Sequence, residues 1–231
     1  MSLVAAQKSR ILAGDFSLSA KVSNVALAFN NSMLEVTTLA DTAKAYVSGQ
    51  NTSTWAFDGY YDELDHADGV AWPSTGNPIT YAPQGLTIGN EVWMASGLES
   101  SFEEQAPNAG VVGFKLAAQT DGPTTQGVAL HDLGAETAGA NYTSVNGSAA
   151  TTGGAVAHLH VTAFSGFTNV VVTIEDSANN STFATIGTFT TVTGATTQRL
   201  AIAGTVRQYT RAVLAVTGSG SVTFAVALSR L

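Results

Sequence analysis

The run SVTFAVALSR near the end of the chain puts Val222, Phe224, Val226 and Leu228 on one side and Thr223, Ala225, Ala227 and Ser229 on the other. Side chains repeating every second residue can share one buried face only on an extended strand. The same strand-like character marks AVAHLHVTAF, NVVVTIED, TFATIGTFTTV, TTQRLAIAGTV and RQYTRAVLAV. Gly, Asn or Ser separates most of these runs, at the spacing of a β-sandwich or barrel.

The first half continues the pattern less regularly. In DFSLSAKV (15–22), Phe16, Leu18, Ala20 and Val22 form the apolar side. The phase slips by one after Ser23-Asn24, where Val25, Leu27 and Phe29 take over, as at a bulge, a bend or a turned strand. TWAFDGYYD (54–62) and the segments 78–88, 91–102 and 111–118 are further strand candidates. YDELDHADG (61–69) predicts one short helix, capped by Asp58 or Asp62 and ended by Gly69. AETAGANYTSVNGSAATTGG (135–154) has little periodicity and many small residues, so the expected boundary lies there. The fold class is therefore all-β with one short helix, as a domain over 1–140 and a β-sandwich module over 141–231.

Charge separates the same halves. Residues 1–140 carry five basic and fifteen acidic side chains, residues 141–231 four and two. The whole chain has a net charge of −8, so affinity for phosphate backbones is expected to be poor. Charged residues make up only 11% of the chain, against about a quarter in ordinary domains. Such a surface is either unusually bland or covered by copies of itself. There is no cysteine, which excludes disulfides and thiolate chemistry. No stretch approaches the roughly 20 apolar residues of a membrane helix, and Lys8 and Arg10 interrupt what would be a secretory leader.

Reactive constellations are sparse. His158 and His160 share one face of a strand, as two metal ligands could, but no third ligand is near in sequence. They read as exposed imidazoles beside a core made by Leu159 and Val161. DGYYDELDHADG lacks the ligand spacing of a calcium loop and reads as a solvated, acidic helix start. Glu103 and Glu104 are adjacent and point to opposite faces of a strand. No nucleophile elbow, zinc-protease motif or phosphate loop is present. Arg199, Arg207 and Arg211 are too few for a nucleic-acid patch and are candidates for intersubunit ion pairs. The reading is non-enzymatic, with no cofactor and no metal.

One connection is too long. A hairpin needs about 2–5 residues, yet LEVTTLADTAKAYVSG (34–49) separates two strand candidates. Leu34, Val36, Leu39, Ala43, Tyr46 and Val47 give it apolar surface that calls for a partner.

FSLSAKVSNVALAFN, LEVTTLADTAKAYVSGQ and STWAFDGYYDE, in that order, resemble the major tail tube protein of long-tailed, siphovirus-type bacteriophages. EEQAPNAGVVGFKLAAQTDG fits the middle of that family, and GTVRQYTRAVLAVTGSGSVTFAVALSR resembles the ending of actinobacterial phage tube proteins. The resemblance implies a virion protein, made in the host cytoplasm, whose six copies pair their sheets into a ring. Stacked rings enclose a channel through which genomic DNA passes without specific binding. Tape-measure and tail-terminator proteins are the implied partners, and no membrane is. The connection 34–50 becomes an inter-ring stacking loop carried by Leu34, Val36, Thr37, Leu39, Asp41, Ala43, Tyr46 and Val47. Small or acidic residues at Ser17, Ser19, Ala26, Ala28 and Asp58 are candidates to line the channel. The alternative is a carbohydrate-binding or adhesin-type β-sandwich, for which Trp55, Trp72 and Trp93 would supply stacking surfaces.

Overall fold

The computed structural model describes residues 8–20, 22–38, 42–60 and 76–231, and every regular element among them is a β-strand. The first seven are β1 (Arg10–Ala13), β2 (Phe16–Ser17), β3 (Val22–Glu35), β4 (Tyr46–Tyr60), β5 (Asn77–Ala82), β6 (Glu91–Gln105) and β7 (Gly113–Thr120). The next four are β8 (Thr125–Glu136), β9 (Ala140–Asn141), β10 (Val145–Asn146) and β11 (Ala155–Ser177). The last three are β12 (Ala184–Thr188), β13 (Thr196–Ile202) and β14 (Tyr209–Arg230). The all-β class is as expected, whereas the helix expected over 61–69 lies outside the described residues.

The chain does not divide at residue 140. One compact unit comprises Met1–Ala20, Asn77–Met94 and Thr125–Leu231, and the other Lys21–Gly76 and Ala95–Thr124. The segment taken for a boundary is part of the first unit: β9 and β10 pair with β14. Arg230 also donates from its guanidinium to the carbonyls of Ala149, Arg207 and Gln208. Small residues there fit a close approach of backbone, not a slack linker.

In the first unit, two runs expected as separate strands are one, twice over. AVAHLHVTAF and NVVVTIED belong to β11, and RQYTRAVLAV and SVTFAVALSR to β14, which pair antiparallel from Ala155–Arg230 to Ser177–Tyr209. The register shifts between Val161 and Asn169, where each strand passes from one sheet into another. On one side of this corner β13 and β8 flank the pair; on the other β12, β9 and β10 do. Leu159, Val161, Phe224 and Val226 from one sheet meet Val170, Val172, Ile174 and Leu214 from the other in a single core. That is a sandwich made by bending two long strands.

The corner depends on glycine. Gly166 and Gly218 have φ of +78° and +92°, and a Cβ on Gly220 would lie 2.1 Å from the Ser165 carbonyl oxygen. What reads in sequence as turn punctuation is here a bend inside a strand.

The reverse face of the 155–161 and 222–230 sheet is also covered. Val156, Ala225 and Ala227 pack with Leu12, Ala82, Leu86, Val92, Met94 and Ala129. Residues 155–161 are consequently buried on both faces.

The second unit is a sheet in the order β3-β4-β7-β6, using the part of β6 from Ala95 onward. Trp55, Phe57, Leu116 and Ala118 form its closed face. The indole N–H of Trp55 donates to Thr124 Oγ1 at 3.1 Å, which satisfies the polar edge of a fully buried ring. The phase slip at Ser23-Asn24 is a bulge between Val22 and Asn24.

Candidate assembly surface

The long connection is shorter than its sequence suggests, because both ends are strand. Glu35 pairs with Tyr46, Leu34 with Val47 and Met33 with Ser48. Val36 N–H donates to the Ala45 carbonyl at 2.9 Å, one bond beyond the ladder. Thr37 Oγ1 donates to Glu35 Oε1 and accepts from Ala45 N–H. Lys44 Nζ reaches Glu35 Oε2 at 3.0 Å, an exposed pair worth well under about 1 kcal/mol. Thr37 is thus a turn-former as well as a loop residue, and Ala43 is exposed. Leu39 and Asp41 lie outside the described residues.

This hairpin outruns its sheet. β7 meets β4 from Thr54–Gln119 to Tyr60–Gly113, so among the described residues Tyr46–Thr52 has β3 alone beside it. At about 3.3 Å per residue the arm projects roughly 20 Å past the third strand. Paired residues share a face, so Met33 and Tyr46 stand on one side and Leu34 and Val47 on the other. All four are about half exposed or more, as are Val36 and Phe29. An arm that is apolar on both faces cannot shelter both by lying on one surface.

Phe29, expected only as part of an apolar strand face with Val25 and Leu27, and Met33, which the sequence did not single out, join the exposed arm. Continuation of extended structure through Asn30-Asn31-Ser32 was the missing signal, since polar residues there look like a turn. A bulge does occur there, between Asn31 and Met33.

The candidate channel residues divide between the units. Ala26, Ala28 and Asp58 come together on the open face of the four-stranded sheet, beside Asn24, Ala56, Lys115 and Ala117 in register. Asn24 Nδ2 donates to Asp58 Oδ2 at 3.0 Å. Ser17 and Ser19 belong to the other unit, where Ser19 Oγ accepts from Ile11 N–H at 2.9 Å and is spent on local structure.

Two of the three arginines are likewise spent. Arg207 donates from its backbone N–H and from Nε to the two carboxylate oxygens of the fully buried Asp176, at 2.7 and 2.8 Å. Arg211 donates from Nε and from a terminal nitrogen to Glu175, at 2.9 and 2.7 Å, and lies over the Phe183 ring. Both acids sit on β11, opposite β14, so these are bonds within the subunit and not between subunits. Arg199 is exposed on β13. Arg207→Ala is expected to lose about 3 kcal/mol in urea unfolding, because it takes the guanidinium from a buried carboxylate and leaves it the backbone N–H, while Arg199→Ala changes stability by less than about 0.5 kcal/mol.

His158 and His160 are buried, not exposed, on the covered reverse face of β11. Ala227 and Ala225 oppose them on β14 and leave room for the imidazoles. His160 Nδ1 lies 2.6 Å from the Gly14 carbonyl and must donate to it. In the neutral ring Nε2 then accepts from Thr80 Oγ1 at 2.8 Å, and Thr80 Oγ1 accepts from His158 Nδ1 at 3.2 Å. Burial pushes the His160 pKa down to about 4, and burial with the charges of His160 and Arg199 holds His158 well below the usual imidazole range. Among the described residues no group of three or more His, Cys, Asp or Glu is placed to hold a metal ion. Trp55 is buried and Trp93 half-buried, while Trp72 lies outside the described residues.

No protein-family model matches the sequence, and no curated protein does. Solved structures similar to it include a chain from the virion of a native gene transfer agent particle, at 13% identity and TM-score 0.42, covering 53% of this chain and 97% of that one. The SPP1 Dit protein, described as a paradigm of the hub adsorption apparatus in phages infecting Gram-positive bacteria, is 12% identical at TM-score 0.42 over 96% of this chain and 98% of its own. A chain from the sheath–tube complex of the PVC extracellular contractile injection system is 11% identical at TM-score 0.41 over 54% of this chain and 90% of that one.

Proposed function

We propose that this chain is a structural subunit of a bacteriophage tail, polymerising as stacked six-fold rings that form the major tail tube around a DNA-conducting channel. The observation that carries this is the state of β3. It is a 14-residue strand with no proline and, apart from Glu35 at its end, no charge, and among the described residues it has a partner on one side only. A long, uncharged open edge is a template for pairing with another chain, and proteins that stay monomeric blunt such edges. Ring closure removes the edge without limitless aggregation.

In this reading the open face with Ala26, Ala28 and Asp58 becomes part of a continuous wall. Lys115 on this face stands opposite Asp58 and Glu103 in register, and its other neighbours there are small or neutral, so the wall does not retain phosphates as a lysine-rich one would. The arm then reaches an adjacent ring, where its two apolar faces are covered. The principal partner is the chain itself, tape-measure and terminator proteins act at the assembled tube, and the chain resides in the virion.

Negative-stain imaging of the concentrated protein tests this directly: tubes or rings of six-fold symmetry are expected, and monomers at every concentration would refute it. Tyr46→Asp is expected to abolish assembly at the concentration where the parent assembles while leaving unfolding free energy within about 1 kcal/mol of the parent, since the side chain is exposed in the subunit and faces only Glu35 across the ladder.

A further inference from the structure

We infer that the surface receiving the arm is the opposite end of the same sheet, built by Tyr60, Val111 and Val112, and that its occupant is the arm of a second copy. This rests on the assembly reading above and adds to it the receiving site. β4 and β7 end together at Tyr60–Gly113, and β7 and β6 at Gly113–Gln105, so the connection 106–112 caps the end of the sheet remote from the arm. Val111 is 67% exposed and Tyr60 58%, with Val112 more than a third exposed. On the closed face of the same sheet, near this end, Phe102 and Phe114 stack with centroids 6.1 Å apart.

Two features favour the arm of another copy as occupant. The two apolar patches lie at opposite ends of the same strands, so a copy displaced along the strand direction brings arm to patch without rotation. That is a heterologous contact, the kind that repeats without closing. An arm-to-arm contact would instead close after two copies and leave Tyr60, Val111 and Val112 uncovered.

The absence of native cysteine makes the test clean. Tyr46→Cys and Val111→Cys chains, prepared separately and mixed under assembling conditions with a short bismaleimide, are expected to cross-link to each other, and a chain with both substitutions to give a ladder. A second arm uses Tyr46→Asp and the double variant Val111→Asp, Val112→Asp. Each alone is expected to raise the assembly concentration at least tenfold; mixed, they retain one good contact and give discrete complexes without tubes. Cross-linking of Tyr46→Cys only to itself, or tubes from the Val111→Asp, Val112→Asp variant at wild-type concentration, would overturn the receiving site while the assembly reading stands. A wild-type chain that never assembles would overturn both.

Discussion

Gly220→Ala is expected to destabilise the sandwich unit by about 3 kcal/mol or more. The new Cβ would stand 2.1 Å from the Ser165 carbonyl oxygen, 2.3 Å from the Phe167 nitrogen and 2.7 Å from the Gly166 carbonyl carbon. All three are backbone atoms, so no rotamer change relieves the contact. β14 would have to move off β11 at the corner where both pass between sheets. That corner brings Leu159, Val161 and Phe224 over Val170, Val172 and Leu214, so the disturbance reaches the main core. Gly194→Ala is the matched control, because nothing lies within 4 Å of its added Cβ. Urea unfolding of the two variants gives the measurement. A Gly220→Ala midpoint equal to that of Gly194→Ala would mean that the strands do not bend at this corner.

The same corner explains what the sequence conveys and what it does not. Alternation in 222–228 and 170–174 identifies strands because it reports a local property, the side of the backbone on which a side chain stands. Gly166 and Gly218-Ser219-Gly220 also announce a change of direction. They do not say whether the chain reverses there or bends and continues, because the difference lies in which strand runs alongside. β11 and β14 are each other's neighbours through the corner, and that pairing spans the sequence between them. The boundary expected near residue 140 fails for the same reason. Residues 135–154 look slack by composition, yet β9 and β10 find their partners about 65 to 75 residues later on β14.

The assembly arm was partly legible. Leu34, Val36, Tyr46 and Val47 stood out as apolar residues in a connection, and they are exposed. That Leu34 and Tyr46 are strand, that Phe29 and Met33 join them, and that both faces are apolar follow only from register. The acceptors for Arg207 and Arg211 were hidden because Asp176 and Glu175 precede them by 31 and 36 residues and meet them only across the β11–β14 ladder.

Acidification is expected to remove about 3 kcal/mol of stability between pH 6.5 and pH 4 through His160 alone, with His158 acting in the same direction. An unfolded imidazole takes up its proton near pH 6.5, whereas folded His160 does so only near about 4. Between those values the unfolded chain binds more protons, so stability falls as pH falls. Above about pH 6.5 both states are neutral and the contribution is constant; below about 4 both are charged and the loss is complete. The geometry supports the direction. His160 already gives its Nδ1 proton to Gly14 and uses Nε2 as acceptor for Thr80, so a second proton would set Nε2–H against the Thr80 hydroxyl hydrogen. Thr80 could turn its hydrogen away only by offering it toward His158, whose Nδ1–H it now accepts. Protonation at one ring therefore disrupts all three groups. His160→Gln retains a donor for the Gly14 carbonyl but cannot titrate. Its deficit relative to the parent, measured by urea unfolding at pH 7.5, should shrink steadily toward pH 4.5. A deficit constant across that range would show that His160 is not held neutral by this network, and that the acid sensitivity of the fold originates elsewhere.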